Sequence, residues 1–230
     1  IIKTTMYCAV PTVLVMMQPD FGTAFVFICI MVFIYFIGRI SWGYILTAAG
    51  GLAVCMPLAY YFVLSDSQRE RIDVFINPES DLQTSGYNVA QSKIAIGSGQ
   101  LTGKGFFSEG TLAQLRFVPE RHTDFIFAGI VEGLGFVGGT IIICLFFALI
   151  FRWIYIAMRT KDSFGTCLVV GVAGMFTAHV FENIGMTIGL MPVTGIPLPF
   201  ISYGGSNLLT NLIGVGIVEN VWMRHQSKKR

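Results

Sequence analysis

The chain has 230 residues, 54% of them hydrophobic, 13% aromatic and 12% charged, with a formal net charge of +2 and a mean hydropathy of +0.70. Soluble proteins carry roughly 25% charged residues; at half that density apolar side chains cannot be kept from water, which excludes an ordinary water-soluble domain and makes lipid part of the solvent. Of the 28 charged residues, 14 lie between Asp66 and Asp124, and nothing gathers the basic face that a nucleic-acid partner would need.

A helix crossing the hydrocarbon needs about 20 mainly apolar residues, and only helices or closed barrels satisfy the backbone there. The apolar runs are too long for barrel strands and predict six helical spans: about Ile1–Met17, Phe21–Gly38, Trp42–Leu64, Asp124–Phe151, Phe164–Leu190 and Phe200–Met223. The first begins without a basic leader and cleavage site, so it does not read as a signal peptide; the chain reads instead as starting inside a larger membrane protein. Cys8, Cys29, Cys55, Cys144 and Cys167 stand singly in apolar runs and read as small buried hydrophobes, with no disulfide and no structural zinc expected.

Basic residues in short loops set the orientation. Arg39, then Arg152, Arg159 and Lys161, then Arg224, Lys228, Lys229 and Arg230 fall on one side under strict alternation, which makes that side cytoplasmic, and Lys3 agrees. The opposite side receives Gln18-Pro19-Asp20, the segment from Ser65 to Thr123 and the Pro-rich turn Met191–Pro199. A connection as long as 65–123 is far beyond the usual 4 to 6 residues and is either functional or disordered. Its short apolar groups, Ile72 to Ile76, Ile94 to Ile96 and Leu112 to Phe117, favour packing onto the end of the bundle. The glycines of Gly97–Gly105 fit no phosphate-binding loop and suit a bent backbone that approaches a ligand or another loop closely.

Several motifs then occur in order: Gln18-Pro19-Asp20-Phe21-Gly22-Thr23, Gly86-Tyr87-Asn88, Gln91-Ser92-Lys93-Ile94-Ala95-Ile96-Gly97-Ser98-Gly99, Gly103-Lys104-Gly105, Gln114 to Ala128 with Pro119-Glu120-Arg121-His122-Thr123-Asp124 at its centre, Asn183-Ile184-Gly185-Met186, and Pro197-Leu198-Pro199-Phe200-Ile201-Ser202-Tyr203-Gly204-Gly205-Ser206. Over essentially its whole length the chain resembles the SEDS (shape, elongation, division and sporulation) family, its rod-shape branch in particular. It departs from the family pattern at Glu132-Gly133, where a Glu-Glu pair is frequent, and at Phe200, where an aliphatic residue is common.

The resemblance implies an all-α, polytopic transmembrane helix bundle, six spans here of about ten in the complete protein. Residues 1–230 would form a single integral-membrane domain, the C-terminal part of the whole, with 65–123 as a large extracytoplasmic loop. It implies a multi-pass protein of the bacterial cytoplasmic membrane that polymerises lipid II into glycan strands during cell-wall elongation, together with a class B penicillin-binding protein that crosslinks them. Without the four preceding spans the 230-residue chain is expected to be inactive.

Glycosyl transfer needs a base for the acceptor hydroxyl and electrostatic help for the departing pyrophosphate. Asp124 stands where a polar loop meets a helix start. By its position alone it reads as a helix N-cap; the resemblance makes it the general base of an inverting displacement. The resemblance likewise implies substrate-binding roles for Arg121, Glu120, His122, Lys93, Gln91, Ser202 and Asp20. Guanidinium groups suit phosphate contacts, so Arg121, with Lys93, is preferred for the pyrophosphate over Lys104, Arg116, Arg69 and Arg71, which read as solvated loop charges. Glu120 assists or pairs with Arg121, and Asp20 reads first as a cap for the second span. The sequence assigns no cofactor; a divalent cation such as Mg or Mn bridging the pyrophosphate is chemically reasonable, and the sequence shows no dedicated metal cluster.

Polar residues inside spans mark function by default. Glu132, His179, Glu182 and Asn183, and the Asn207–Asn211 pair four apart, read either as interhelical hydrogen bonds or, for the two glutamates, as the lining of a wet cavity. Two rivals remain: a flippase for lipid-linked sugars, which would depend on Glu182, and a non-catalytic scaffold for a transpeptidase, for which Asp124 would be dispensable.

Overall fold

The computed structural model describes residues 2–18, 20–38, 43, 50, 60–61, 66–77, 85–105 and 122–227. The described residues contain helices and no strands: α1 (Ile2–Met16), α2 (Phe21–Ile37), α3 (Asp66–Ile76), α4 (Ser85–Ser98), α5 (Ile126–Arg159), α6 (Ser163–Thr187) and α7 (Gly205–Ser227). The expected span at 42–64 lies outside the described residues except for isolated positions.

Helix α2 starts where the sequence signals it. Asp20 is its N-cap and accepts from the Thr23 backbone N–H at 3.0 Å and from the Thr23 hydroxyl at 2.7 Å, satisfying a donor that the first turn leaves free. Asp162 caps α6 the same way, through the Gly165 N–H at 3.0 Å. Helices α5 and α6 are long and apolar enough to cross a membrane. Helix α5 runs eight residues beyond the expected end at Phe151, because Arg152 and Arg159 do not form a loop but lie on the helix with their guanidiniums over aromatic rings. Helix α7 begins at Gly205 rather than Phe200, since residues 199–203 turn first, with φ of +63° at Phe200.

Helix α6 is the centre of the bundle and packs against α2, α5 and α7, while α1 packs on α2. The main core joins Trp153 and Ile156 of α5, Val169, Val170, Ala173 and Phe176 of α6, and Val218 of α7. Trp153 meets Phe176 edge to face, ring centroids 4.7 Å apart, a favoured aromatic geometry. Gly174 allows the closest approach of α2, because a Cβ there would stand 3.1 Å from the Phe33 side chain. Outward, Phe136, Val137, Ile141, Leu145, Phe147, Phe151 and Met158 of α5 are exposed.

The segment expected as a long loop holds two helices. Helix α4 packs on α5 and α6, and α3 on α4. Val89 of α4 joins Phe125 and Val193 in a small core, and the buried Ser92 hydroxyl donates to the Thr187 carbonyl at 2.8 Å. These contacts lay α4 across the end of the bundle where α5 begins and α6 finishes; the Leu112–Phe117 group lies outside the described residues.

Beyond α4, the Gly-rich stretch is spliced into a break in α5. Gly135 has φ +72° and ψ −174°, which interrupts the helix. The Glu132 and Gly133 carbonyls accept instead from Lys104 N–H at 2.9 Å and Gly105 N–H at 3.0 Å, while Phe136 and Val137 donate to Gln100 and Leu101 at 2.8 and 3.2 Å. The loop thus replaces the two helix bonds, Phe136 to Glu132 and Val137 to Gly133, that the break removes. Gly103, at φ +79°, faces Gly135 so closely that a Cβ on either would overlap the other segment's backbone.

Candidate active site

Asp124 lies in the turn 122–125, one residue ahead of the α5 N-cap, Phe125. Three consecutive carbonyls of this turn are tied to the Pro-rich segment or to α6. That of His122 accepts from Tyr203 N–H at 3.0 Å. That of Thr123 accepts from the Ser202 hydroxyl at 2.6 Å, and the Ser202 oxygen in turn accepts from Leu198 N–H at 2.7 Å. That of Asp124 accepts from the Asn183 amide at 2.8 Å, which also donates to Ile196 at 2.8 Å. The segment 192–198 has no regular structure, so its backbone groups need side-chain partners; Asn183, Ser202 and His179, whose Nδ1 donates to Pro197 at 3.3 Å, supply them.

This clamp sets the Asp124 carboxylate beside Gly195. Gly195 has φ +77°, and a Cβ there would find Asp124 Oδ2 as its near neighbour, at 3.4 Å. Gly195 is a wall of a cleft of about 430 Å³ whose other walls include Asp20, Thr23, Arg71, His179 and Pro197. Arg71 comes from α3, with Nη1 3.4 Å from the Val193 carbonyl, and it also lines a narrow adjoining space together with Lys93, Phe75, Gly189 and Val193. The Lys93 side chain passes directly over Gly189, a left-handed position at φ +75° where any Cβ would displace it. Two acidic groups, Asp20 and Asp124, a guanidinium and an ammonium are therefore brought to one end of the bundle from four separate stretches of chain.

Of the residues singled out in the sequence, Asp20, Lys93, Asp124 and Ser202 come to this end. Asp20 serves both as cap and as cleft wall. Ser202 is buried and its hydroxyl is committed to two backbone partners, so it positions the turn. His122 is exposed and Gln91 half-buried; neither lines the cleft. Glu120 and Arg121 lie outside the described residues. Arg71, passed over among the loop cations, and His179, read as a helix-packing residue, are cleft walls; only the tertiary path of α3 and of the Pro-rich segment selects them. Elsewhere, Glu132 is buried and faces Lys104 at 3.7 Å and Ser98 at 3.4 Å, and Asn207 and Asn211 bond to each other at 3.1 Å along α7. Glu182 is buried with Oε2 unpartnered. Among the described residues no group of three or more His, Cys, Asp or Glu side chains is placed to hold a metal ion.

The family model FTSW_RODA_SPOVE, described as cell cycle protein, matches residues 1–227. The chain belongs to this family. Its SEDS relatives include the peptidoglycan glycosyltransferase MrdB of Escherichia coli K12, 45% identical over 211 residues, covering 92% of this chain and 57% of MrdB. Stage V sporulation protein E of Bacillus subtilis is 42% identical over 215 residues, 90% of this chain and 56% of that protein. The chain thus spans little more than half the length of these relatives. Among solved structures, it is similar to a chain of a peptidoglycan synthase complex that coordinates polymerization and crosslinking, with a TM-score of 0.79 and 29% identity, covering 96% of this chain and 61% of that one. The rod shape determining protein RodA of Thermus thermophilus shares the fold, with a TM-score of 0.63 at 24% identity over 99% of this chain and 57% of RodA.

Proposed function

We propose that the chain is the C-terminal, membrane-embedded part of a peptidoglycan glycosyltransferase that polymerises lipid II, with Asp124 as general base. The observation that carries this reading is the Asp124 carboxylate, fixed by three backbone ties and set against the wall of a cleft that also holds Arg71. In the proposed step Asp124 takes the proton of the acceptor sugar hydroxyl while that oxygen attacks the anomeric carbon of the donor. The bond from that carbon to the pyrophosphate oxygen breaks with inversion, and the polyprenyl pyrophosphate leaves toward Arg71 and Lys93, whose charges offset its own. A carboxylate base suffices because a pyrophosphate leaving group does not need protonation.

The membrane reading rests on helix length. From Phe136 to Arg159, α5 is about 36 Å long at 1.5 Å per residue, enough for the roughly 30 Å hydrocarbon core, and its exposed face from Phe136 to Phe151 is apolar except for Thr140. On this reading six spans cross the bilayer, residues 65–123 lie outside the cytoplasmic membrane with Asp124, and the C-terminus is cytoplasmic. The complete protein has about ten spans and works beside a class B penicillin-binding protein; the similarity to a synthase complex that couples polymerization to crosslinking supports that partner.

The test is polymerisation of labelled lipid II by the complete protein co-purified with its transpeptidase, wild type against Asp124→Asn. Loss of glycan strands from a folded, partner-bound variant is expected; undiminished strands would overturn the base. One observation favours a second reading, a flippase: Glu182 is buried in α6 with a carboxylate oxygen unpartnered. Lipid II transport that fails in Glu182→Gln while Asp124→Asn still supports it would favour the transporter.

A further inference from the structure

At the end of the bundle away from Asp124, five side chains of α5 and α7 form a continuous row of cations and rings. The Arg159 guanidinium stands 4.8 Å from the Tyr155 ring centroid, Arg152 stands 5.7 Å from the same ring and 5.3 Å from that of Trp222, and Trp222 stacks on His225 at 5.8 Å. Both arginines are exposed, and Lys161 and Arg224 are exposed nearby in the chain. Among the described residues, no carboxylate lies within ion-pair distance of Arg152 or Arg159. His225 is 8% exposed, and its Nε2 has no hydrogen-bond partner.

The depth of these charges matters, since among the described residues no carboxylate offsets them. Arg152 lies seven residues, about 10 Å along the helix, inside Arg159, which puts it at the boundary between hydrocarbon and headgroups when α5 crosses a bilayer. A guanidinium there must reach outward or meet an anion. The rings hold each guanidinium by cation–π attraction, which takes up none of its N–H donors, and those donors match the oxygens of a phosphate diester. His225, stacked on Trp222, closes the row and backs the indole that faces Arg152.

The geometry points to an acidic phospholipid headgroup bound by the row Arg159, Tyr155, Arg152, Trp222 and His225 between α5 and α7. The site is separate from the cleft and stands whether or not the glycosyltransferase reading does. It takes a phosphate diester from the surrounding leaflet, holding the α5 and α7 ends together at the membrane surface.

The test is native mass spectrometry of the complete protein titrated in detergent with phosphatidylglycerol, phosphatidylcholine or inorganic phosphate. The expected result is selective retention of phosphatidylglycerol, weakened about thirtyfold in the Arg152→Gln, Arg159→Gln double variant, since each basic residue near an anionic lipid surface contributes about a factor of five. Glutamine keeps helix propensity; unchanged binding of phosphatidylcholine and an unchanged melting temperature identify a folded variant. If that variant unfolds, Arg152→Lys takes its place and is expected to bind phosphatidylglycerol more weakly than wild type. Equal retention of both lipids, binding untouched by the substitutions, or displacement of phosphatidylglycerol by equimolar inorganic phosphate overturns the proposal.

Discussion

The amide nitrogen of Asn183 lies 2.8 Å from the carbonyl oxygen of Asp124 and 2.8 Å from that of Ile196. One fully buried side chain thus fixes the turn that carries the carboxylate and the segment that walls the cleft. Asn183→Leu, of similar volume, removes the donor to the buried Ile196 carbonyl and to the half-buried Asp124 carbonyl and is expected to destabilise by about 1–3 kcal/mol. Asn183→Asp sets a carboxylate against two carbonyls and is expected to be at least as harmful. Thermal unfolding in detergent checks both, and lipid II polymerisation should fall further than the loss of folded protein explains.

The splice between the Gly-rich loop and α5 makes a matched set. Gly103→Ala and Gly135→Ala each combine a positive φ with overlap against backbone that cannot move aside, and each is expected to cost about 3 kcal/mol or more. Gly97→Ala, on α4 with open space around it, is expected to be neutral or to stabilise by about 0.5–1 kcal/mol. Melting temperatures of the three variants decide; equal effects would mean that the splice is not tight.

Asp20 separates capping from charge. Asp20→Asn keeps an oxygen for the Thr23 N–H and is expected to melt within about 0.5 kcal/mol of wild type, whereas Asp20→Ala loses the cap and about 1 kcal/mol. A polymerisation rate that drops in Asp20→Asn despite unchanged stability would assign the carboxylate a role toward the substrate or toward Arg71.

Helix α6 offers a contrast of its own. Gly174→Ala puts a methyl 3.1 Å from Phe33 and 3.3 Å from the Ile30 backbone, while Gly171→Ala meets nothing nearer than 3.8 Å. The first is expected to cost about 1–3 kcal/mol by forcing α2 away and the second close to nothing, measured by unfolding in detergent.

Much of this was legible in the sequence. The sequence predicts the bounds of α2 to within a residue, because Asp20 caps it and an unbroken apolar run follows. The Asp20 cap needed only local information. The sequence predicts too short an α5, because Arg152 reads as a loop charge; its contact with Trp222, seventy residues away, is invisible to a local reading. The break at Gly135 was hidden among Gly129, Gly133, Gly138 and Gly139, since which glycine breaks depends on where Gly103 arrives. Asn183 stood out as a polar residue in an apolar helix, but its partners are loop carbonyls rather than another helix. Nothing in the spacing of six loop cations singled out Arg71, because the cleft is assembled by the path of α3.

The spliced break in α5 also constrains how the family can vary. Since the loop 100–105 and the helix 132–137 complete each other's hydrogen bonds, neither can be exchanged alone: a transplanted loop would leave four backbone groups of the host helix unmet. A chimera between relatives therefore has to carry both stretches as one graft, although the 26 residues from 106 to 131 separate them.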